Sequence, residues 1–325
     1  MRVILCRELG SPAVLTVEER PDPEPGMGEV LVRQEAWGVN YVDALMVAGG
    51  YQLKPDLPFV PGLEAAGTVV ETGWGSNAFE PGDRVVVSHR PGGFAELAVA
   101  TFDRVRRAPP ELDMAEAAVF RSAYHTALHA LLQRGRLAPG ETVLVLGAAG
   151  GVGLAAVHCA KRLGAQVIAA AAGEEKLAAL RRQGADVVVD YREGFRSAVL
   201  AATGGRGADV VYDPVGGDAF DEATRSTAWG GRILAIGFTS GRRPVAKVNH
   251  LLIKGIEVIG VRAGEAGRRD PSLPEETWRY LTRWISGDGL RPHISHRIPF
   301  SRAAEALQLV LDRKVIGKAV LVPDG

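Results

Sequence analysis

The stretch LGAAGGVG, residues 146–153, decides how the chain is read. It follows the apolar run ETVLV and precedes LAAVHCAKRLGA, so a strand-like segment passes through a glycine loop into a helix-like one. Four glycines fall within the seven residues 147–153. Such a loop lets backbone N–H groups approach a pyrophosphate, and the helix beyond it adds a favourable partial positive charge. The strict G-x-G-x-x-G spacing is absent, because Ala148, Gly150 and Gly153 take its three glycine positions. The first position serves a tight turn, the second leaves room for phosphate and the third permits helix–strand packing. The two positions with the stricter steric demand keep glycine. An ordinary glycine-rich turn is the competing reading, and the loop's place at the head of a run of βα units speaks against it.

Downstream of the loop, strands and helices alternate. QVIAAA is followed by EEKLAALRRQG, DVVVDY by FRSAVLAATGG, and DVVYDPVGG by a helix around residues 220–228, then GRILAIGF and the strand IEVIGVR at 256–262. The strand runs are nearly all apolar, as strands buried on both faces must be. That pattern predicts a parallel sheet with helices on both faces. Upstream the texture is β-rich. VLTVEERPDPEP ends a strand in a turn at Pro21, Pro23 and Pro25, and GEVLVRQEAWGVN (28–40) alternates apolar and polar residues. GTVVETG, PGDRVVVS and GGFAELAVA are short runs bounded by Gly or Pro, which suggests a small barrel or sandwich. Between the two textures, residues 111–135 read as a helix with Asp113 as N-cap. After residue 262 come a helix, a strand and a helix that break the βα rhythm and are expected to pack back on the first domain.

A chain of 325 residues accommodates two domains. Basic and acidic side chains balance at 38 each, and aromatic residues do not interleave with basic ones, which argues against a nucleic-acid partner. The only cysteines, Cys6 and Cys159, form no C-x-x-C pair, so a four-thiolate zinc site is impossible and a disulfide framework is not expected. No secretory leader or apolar run long enough to span a bilayer is evident, and a cytoplasmic location without membrane contact is expected.

The flavour of dinucleotide is read at the end of the next strand, where an NAD site places an acid against the ribose hydroxyl. Residues 166–173 read QVIAAAAG, without one. Lys176 stands in the following turn, and Tyr191 and Arg192 end the strand after that. Cations there attract a 2′-phosphate and favour NADPH, with Glu174 and Glu175 opposing. Taken alone, Lys176 reads equally as a solvated helix residue.

The order β-rich domain, helix, AAGGVG (148–153), DPVGG (213–217) and GKAVLVP (317–323) resembles the medium-chain dehydrogenase/reductase superfamily. Within it the chain is similar to the zinc-independent quinone oxidoreductase branch, on the motifs GVNYVD (38–43), PFVPGLEAAGTV (58–69), PGDRV (81–85), GGFAE (92–96) and NHLLIKGIEVIGV (249–261). The resemblance covers almost the whole chain. It implies an α/β protein: a GroES-like β-rich catalytic domain at 1–122, a Rossmann-type doubly wound parallel sheet at 123–262, and a segment at 263–325 that returns to the catalytic domain. Departures from the zinc alcohol dehydrogenases are equally informative. Their P-G-H-E motif reads Pro61-Gly62-Leu63-Glu64 here, the expected cysteine ligand is replaced around Asn40, and Ser88-His89-Arg90-Pro91 leads straight to Gly92 where a four-cysteine lobe is expected. His89, His125 and His129 lack partners at ligand spacing and read as surface or core residues. No metal is expected.

Without a Lewis acid, an alkoxide has nothing to stabilise it, whereas a quinone or an activated C=C bond delocalises the charge it gains. The resemblance therefore implies hydride transfer from NADPH to a quinone. The alternatives are reduction of a 2-alkenal or 2-enoyl thioester, or an NADPH-binding regulatory or structural role with little catalysis. By the same resemblance, Asn40, Asp43 and Thr126 are the candidate catalytic residues. Gly150, Gly151 and Val152 meet the pyrophosphate, Gly173, Lys176 and Tyr191 the 2′-phosphate, and Phe238, Ser240, Gly260, Val261 and Arg262 the nicotinamide side, with Lys318 a further cofactor candidate. Tyr41, Tyr51 and Arg262 are candidate substrate-wall residues, for which core packing is the competing reading. Arg262, Arg268 and Arg269 suggest an anionic thioester carrier, against the preferred reading of a solvated arginine loop. The apolar strand at 256–261 is expected to pair across a two-fold axis in a homodimer.

Overall fold

β3 (Glu29–Val39) is the spine of the first of two compact units. A computed structural model describes residues 1–75 and 78–325 and divides them into Met1–Ser122 with Ile285–Gly325, and Ala123–Trp284. Before the spine, β1 (Arg2–Cys6) lies antiparallel to β2 (Leu15–Glu19), and the prolines at 21, 23 and 25 end that ladder. After it come α1 (Tyr41–Val47), β4 (Glu64–Thr72), β5 (Arg84–Ser88), β6 (Leu97–Thr101), β7 (Val105–Arg107) and α2 (Met114–Leu128). The second unit continues with β8 (Thr142–Val145), α3 (Gly151–Arg162), β9 (Gln166–Ala171), α4 (Glu174–Arg182), β10 (Val187–Asp190) and α5 (Arg196–Ala202). It goes on through β11 (Ala208–Asp213), α6 (Gly217–Ser226), β12 (Thr227–Ala235), α7 (Val248–Lys254), β13 (Glu257–Gly260), α8 (Ala263–Arg269) and most of α9 (Ser272–Asp288). The chain then returns to the first unit with β14 (Ile294–Pro299), α10 (Ala303–Leu311) and β15 (Lys318–Val322).

In the first unit a seven-stranded sheet runs β14-β15-β3-β4-β5-β7, with β6 also on β3. β3 is long enough to serve three partners: β4 along one edge, and β6 and β15 in succession along the other. Most of its residues are buried, and the three that are not, Glu29, Arg33 and Glu35, share one face. Trp37 packs against Phe300 with ring centroids 4.4 Å apart and planes tilted by 44°, and donates its indole N–H to the Ala95 carbonyl at 2.8 Å. The expected N-cap of α2 is a reciprocal box: the Glu116 N–H donates to Asp113 Oδ1 at 2.7 Å and the Asp113 N–H to Glu116 Oε2 at 3.0 Å. A π-helical stretch, His129–Arg134, continues α2.

The second unit is a six-stranded, all-parallel sheet in the order β10-β9-β8-β11-β12-β13. In order along the chain that is 3-2-1-4-5-6, the doubly wound arrangement. Val143, Leu144 and Val145 of its first strand are wholly buried, each burial worth roughly 1.5–3 kcal/mol. The second unit extends to Trp284 rather than to residue 262. Polar contacts explain the difference: Thr277 Oγ1 bonds His125 Nδ1 at 2.6 Å, and Gln133 Nε2 donates to Glu276 Oε2 at 2.6 Å, tying α9 to α2 and its continuation. A sequence reading that followed the βα rhythm had no signal for these side-chain bonds.

Candidate functional site

Three motifs far apart in sequence meet in the first unit. The antiparallel register pairs Ala319 with Val39 and Val320 with Gly38, and extending it by one residue sets Lys318 opposite Asn40. On the other edge, Gly38 pairs with Glu64. Gly38 has to be small: a Cβ there would stand 2.6 Å from Glu64 Cγ and 2.7 Å from the Ala118 carbonyl oxygen. Into the space thus left, the Glu64 carboxylate folds back over β3. Lys318 Nζ donates to Glu64 Oε1 at 2.9 Å and to Asn40 Oδ1 at 2.6 Å. Asn40 Nδ2 donates to Glu64 Oε1 at 3.1 Å, and the Ser122 N–H donates to Glu64 Oε2 at 3.0 Å. Lys318 is 5% exposed and Glu64 2%.

Asn40 is the N-cap of α1, and Asp43 one turn into the helix accepts the Asn40 N–H at 2.8 Å through Oδ2. Asp43 Oδ1 is buried and has no hydrogen-bond partner among the described residues. Burial raises the Asp43 carboxyl to about 7, with the backbone bond from Asn40 and the nearby Lys318 charge pulling the other way. Tyr41 begins the same helix half-buried, and Tyr51 packs partly buried against the core that holds Trp37 and Phe94. Leu63 also packs against this core. Beside it, His89 Nε2 bonds Gln34 Oε1 at 2.8 Å. Gln34 Nε2 is already donating to the Gly93 and Ala95 carbonyls, so His89 is the donor. Burial, helped by Arg104, lowers the His89 imidazole to about 4 and keeps it neutral.

The expected cofactor residues of the second unit all follow the carboxyl ends of its parallel strands. After β8, Gly147 takes a φ of 56° and accepts the Gly150 N–H at 3.0 Å. Gly151, Val152 and Gly153 open α3, and their N–H groups have no acceptor within the helix. A Cβ on Gly150 would meet nothing closer than 3.4 Å, so the loop is open there, whereas one on Gly153 would overlap the Gly147 carbonyl. This cradle fits a diphosphate: an open face, unsatisfied donors and a helix N-terminus. Gly173, at φ 91°, precedes α4 and faces open space. Lys176 is in the first turn of α4, and Tyr191 follows β10, packed against the sheet's core. Asp190, at the end of that strand, accepts the Gly173 N–H at 3.3 Å. Its two oxygens also accept Arg192 Nε at 2.9 and 3.0 Å, and the guanidinium holds the carboxyl far below the usual range.

DPVGG forms the turn after β11. The buried Asp213 accepts the Val215 and Gly216 N–H groups at 2.8 and 2.9 Å through Oδ1, although burial still pushes its carboxyl up. Phe238 and Ser240, beyond β12, lie over this turn, because a Cβ on Gly216 would be 3.1 Å from Phe238 Cδ1 and one on Gly217 2.8 Å from Ser240 Oγ. Gly260 ends β13, and the N–H of Val261, just beyond it, donates to the Ala235 carbonyl at 3.0 Å. Arg262, Arg268 and Arg269 converge on the single carboxylate of Glu265. Thr126 is half-buried on α2 in the second unit. Lys318 is not among these loops; it belongs to the first unit.

Sequence reasoning passed over Glu64, which it treated only as the last letter of PGLE. A charged residue heading the otherwise apolar EAAGTVV was the available signal. Among the described residues no group of three or more His, Cys, Asp or Glu side chains could hold a metal ion. Cys6 and Cys159 are both buried and free, and burial pushes the Cys159 thiol up to about 12.

A parallel sheet of this order, with its glycine loop at the switch point between β8 and β11, defines a dinucleotide-binding domain. The alcohol dehydrogenase GroES-like domain matches residues 26–110 and the zinc-binding dehydrogenase domain residues 151–286. The chain is 38% identical to a quinone oxidoreductase-like protein 2 homolog of Nematostella vectensis, over 98% of this chain and 88% of the relative. A probable oxidoreductase from Mycobacterium abscessus superposes with a TM-score of 0.92 at 42% identity, over 99% of both chains. The quinone oxidoreductase of Escherichia coli, solved in complex with NADPH, superposes with a TM-score of 0.91 at 27% identity, over 99% of this chain and 100% of that one. The chain belongs to the medium-chain dehydrogenase/reductase family, in its quinone oxidoreductase branch. No helix among the described residues is long and apolar enough to cross a membrane.

Proposed function

We propose that this oxidoreductase transfers hydride from NADPH to a quinone without zinc. One observation carries the reading: Leu63 stands where zinc alcohol dehydrogenases have a histidine ligand, and the neighbouring polar groups Asn40, Glu64 and Lys318 are bonded to one another. NADPH supplies the hydride when bound. The N–H groups opening α3 would hold its diphosphate, and Lys176 and Tyr191, with Gly173, its 2′-phosphate. Phe238, Ser240, Gly260, Val261 and Arg262 would flank the nicotinamide side, with Thr126. Asn40 retains one amide N–H, which can bond the oxygen on which an acceptor's charge develops. The three arginines considered for a thioester carrier gather around Glu265 in a solvent-exposed cluster.

The test is NADPH oxidation with 1,4-benzoquinone, a 2-alkenal and an enoyl-CoA, each with and without EDTA. The quinone is expected to give the highest kcat/KM, unchanged by the chelator. A higher value for the enoyl-CoA overturns the quinone assignment. Tight NADPH binding without turnover of any acceptor points instead to a regulatory role.

We also propose that the active form is a homodimer. β13 is an edge strand, and Val258 on it is 39% exposed, beside a surface bearing Trp229 at 80% and Leu252 at 79% exposure. A second copy pairing along β13 would cover both the open ladder and these side chains.

A further inference from the structure

The ammonium of Lys318 is a full charge removed from water, on a strand whose other residues are apolar. As a device for stability it is poor, because a buried ion pair is often outperformed by apolar side chains of similar volume. Its geometry has a different consequence. An asparagine amide is nearly symmetric in shape, so packing alone cannot decide which end is oxygen. Here Lys318 Nζ donates to Asn40 Oδ1 at 2.6 Å, and Glu64 Oε1 accepts from Asn40 Nδ2 at 3.1 Å. Rotating the amide would set NH2 against ammonium and carbonyl against carboxylate, two repulsive contacts in place of two bonds. Glu64 is in turn held by Lys318 and by the Ser122 N–H, and the Asn40 main chain by Asp43. Backbone and side chain of Asn40 are therefore fixed independently.

We infer that Lys318 is a positioning residue, whose ammonium, clamped by Glu64, fixes the Asn40 amide in the single orientation that leaves one N–H for a ligand. Lys318 itself touches no ligand in this account, in place of the direct cofactor contact expected from sequence. The inference rests on the proposal that Asn40 serves the acceptor or cofactor.

The test pairs Asn40→Ala with the double variant Lys318→Met/Glu64→Gln, which removes both charges together and leaves no buried ion unpaired. With NADPH and 1,4-benzoquinone, the double variant is expected to lose up to about 100-fold in kcat, as a displaced group near the chemistry does, with the NADPH dissociation constant within about twofold of wild type. Adding Asn40→Ala to it should bring no further loss, because the two act as one unit. Lys318→Arg, which keeps a donor cation, should recover most of the rate. Unchanged kcat in the double variant, or losses that multiply, overturns the inference. If the wild type reduces no acceptor, the proposed function fails separately. A neutron diffraction structure of the double variant, which distinguishes the amide Nδ2 from the oxygen, then decides: a turned Asn40 amide upholds the positioning role, and an unmoved one overturns it.

Discussion

Gly153 lies so close to Gly147 that a Cβ on Gly153 would overlap the Gly147 carbonyl oxygen and stand 2.8 Å from Ala148 Cα. Both obstacles are backbone and cannot rotate away. Gly153→Ala is therefore expected to push α3 off its loop, costing about 1–3 kcal/mol and weakening NADPH at least tenfold. Thermal unfolding and a fluorescence titration measure the two effects. A stable variant with native NADPH affinity would show that the loop yields more easily than its geometry implies.

Lys176 distinguishes the two dinucleotides if it faces the 2′-phosphate. Lys176→Glu should raise the NADPH dissociation constant about 10- to 100-fold, the scale of one charge-assisted contact reversed, and leave NADH almost unchanged. Equal losses for both would remove Lys176 from that role.

Asp43 imposes a pH dependence on stability. Its carboxyl is raised from 3.8 to about 7 in the folded chain, with Lys318 opposing and Glu64 adding to the rise. Below pH 4 both folded and unfolded forms are protonated and the contribution is whole. As the pH climbs through 7 the folded form has to bury a charge, and stability falls by something on the order of 1–4 kcal/mol. Asp43→Asn still accepts the Asn40 N–H and should flatten that slope in urea unfolding between pH 4 and 8. An unchanged slope would assign it to another group.

Leu252→Glu with Val258→Lys places charges on the exposed apolar surface beside β13. Light scattering should show a dimer for the wild type and a monomer for the variant. A monomeric wild type ends the homodimer proposal.

The glycine loop, the alternation that follows it and the βα strand ends were legible because each depends on local spacing: period in the strands, and steric room at Gly150 and Gly153. The Lys318–Glu64–Asn40 cluster was not, since its members stand at 318, 64 and 40 and only the register of β15 and β4 on β3 joins them. Asn40 and Lys318 were each singled out, but for separate tasks. The extent of the second unit to Trp284 was hidden for a similar reason, resting on the bonds from His125 to Thr277 and from Gln133 to Glu276.

β15 has one more consequence, for the order of events in biosynthesis. Gly317, at φ 68°, brings the chain against the His293 carbonyl and delivers Lys318 to its place. A ribosome makes that segment only after the whole of the second unit. Until then the nascent first unit holds Glu64 without its cation and β3 without one of its three neighbours. The second unit is contiguous and can fold as it emerges; the first must wait, so the Asn40 site is among the last parts of the protein to come into being.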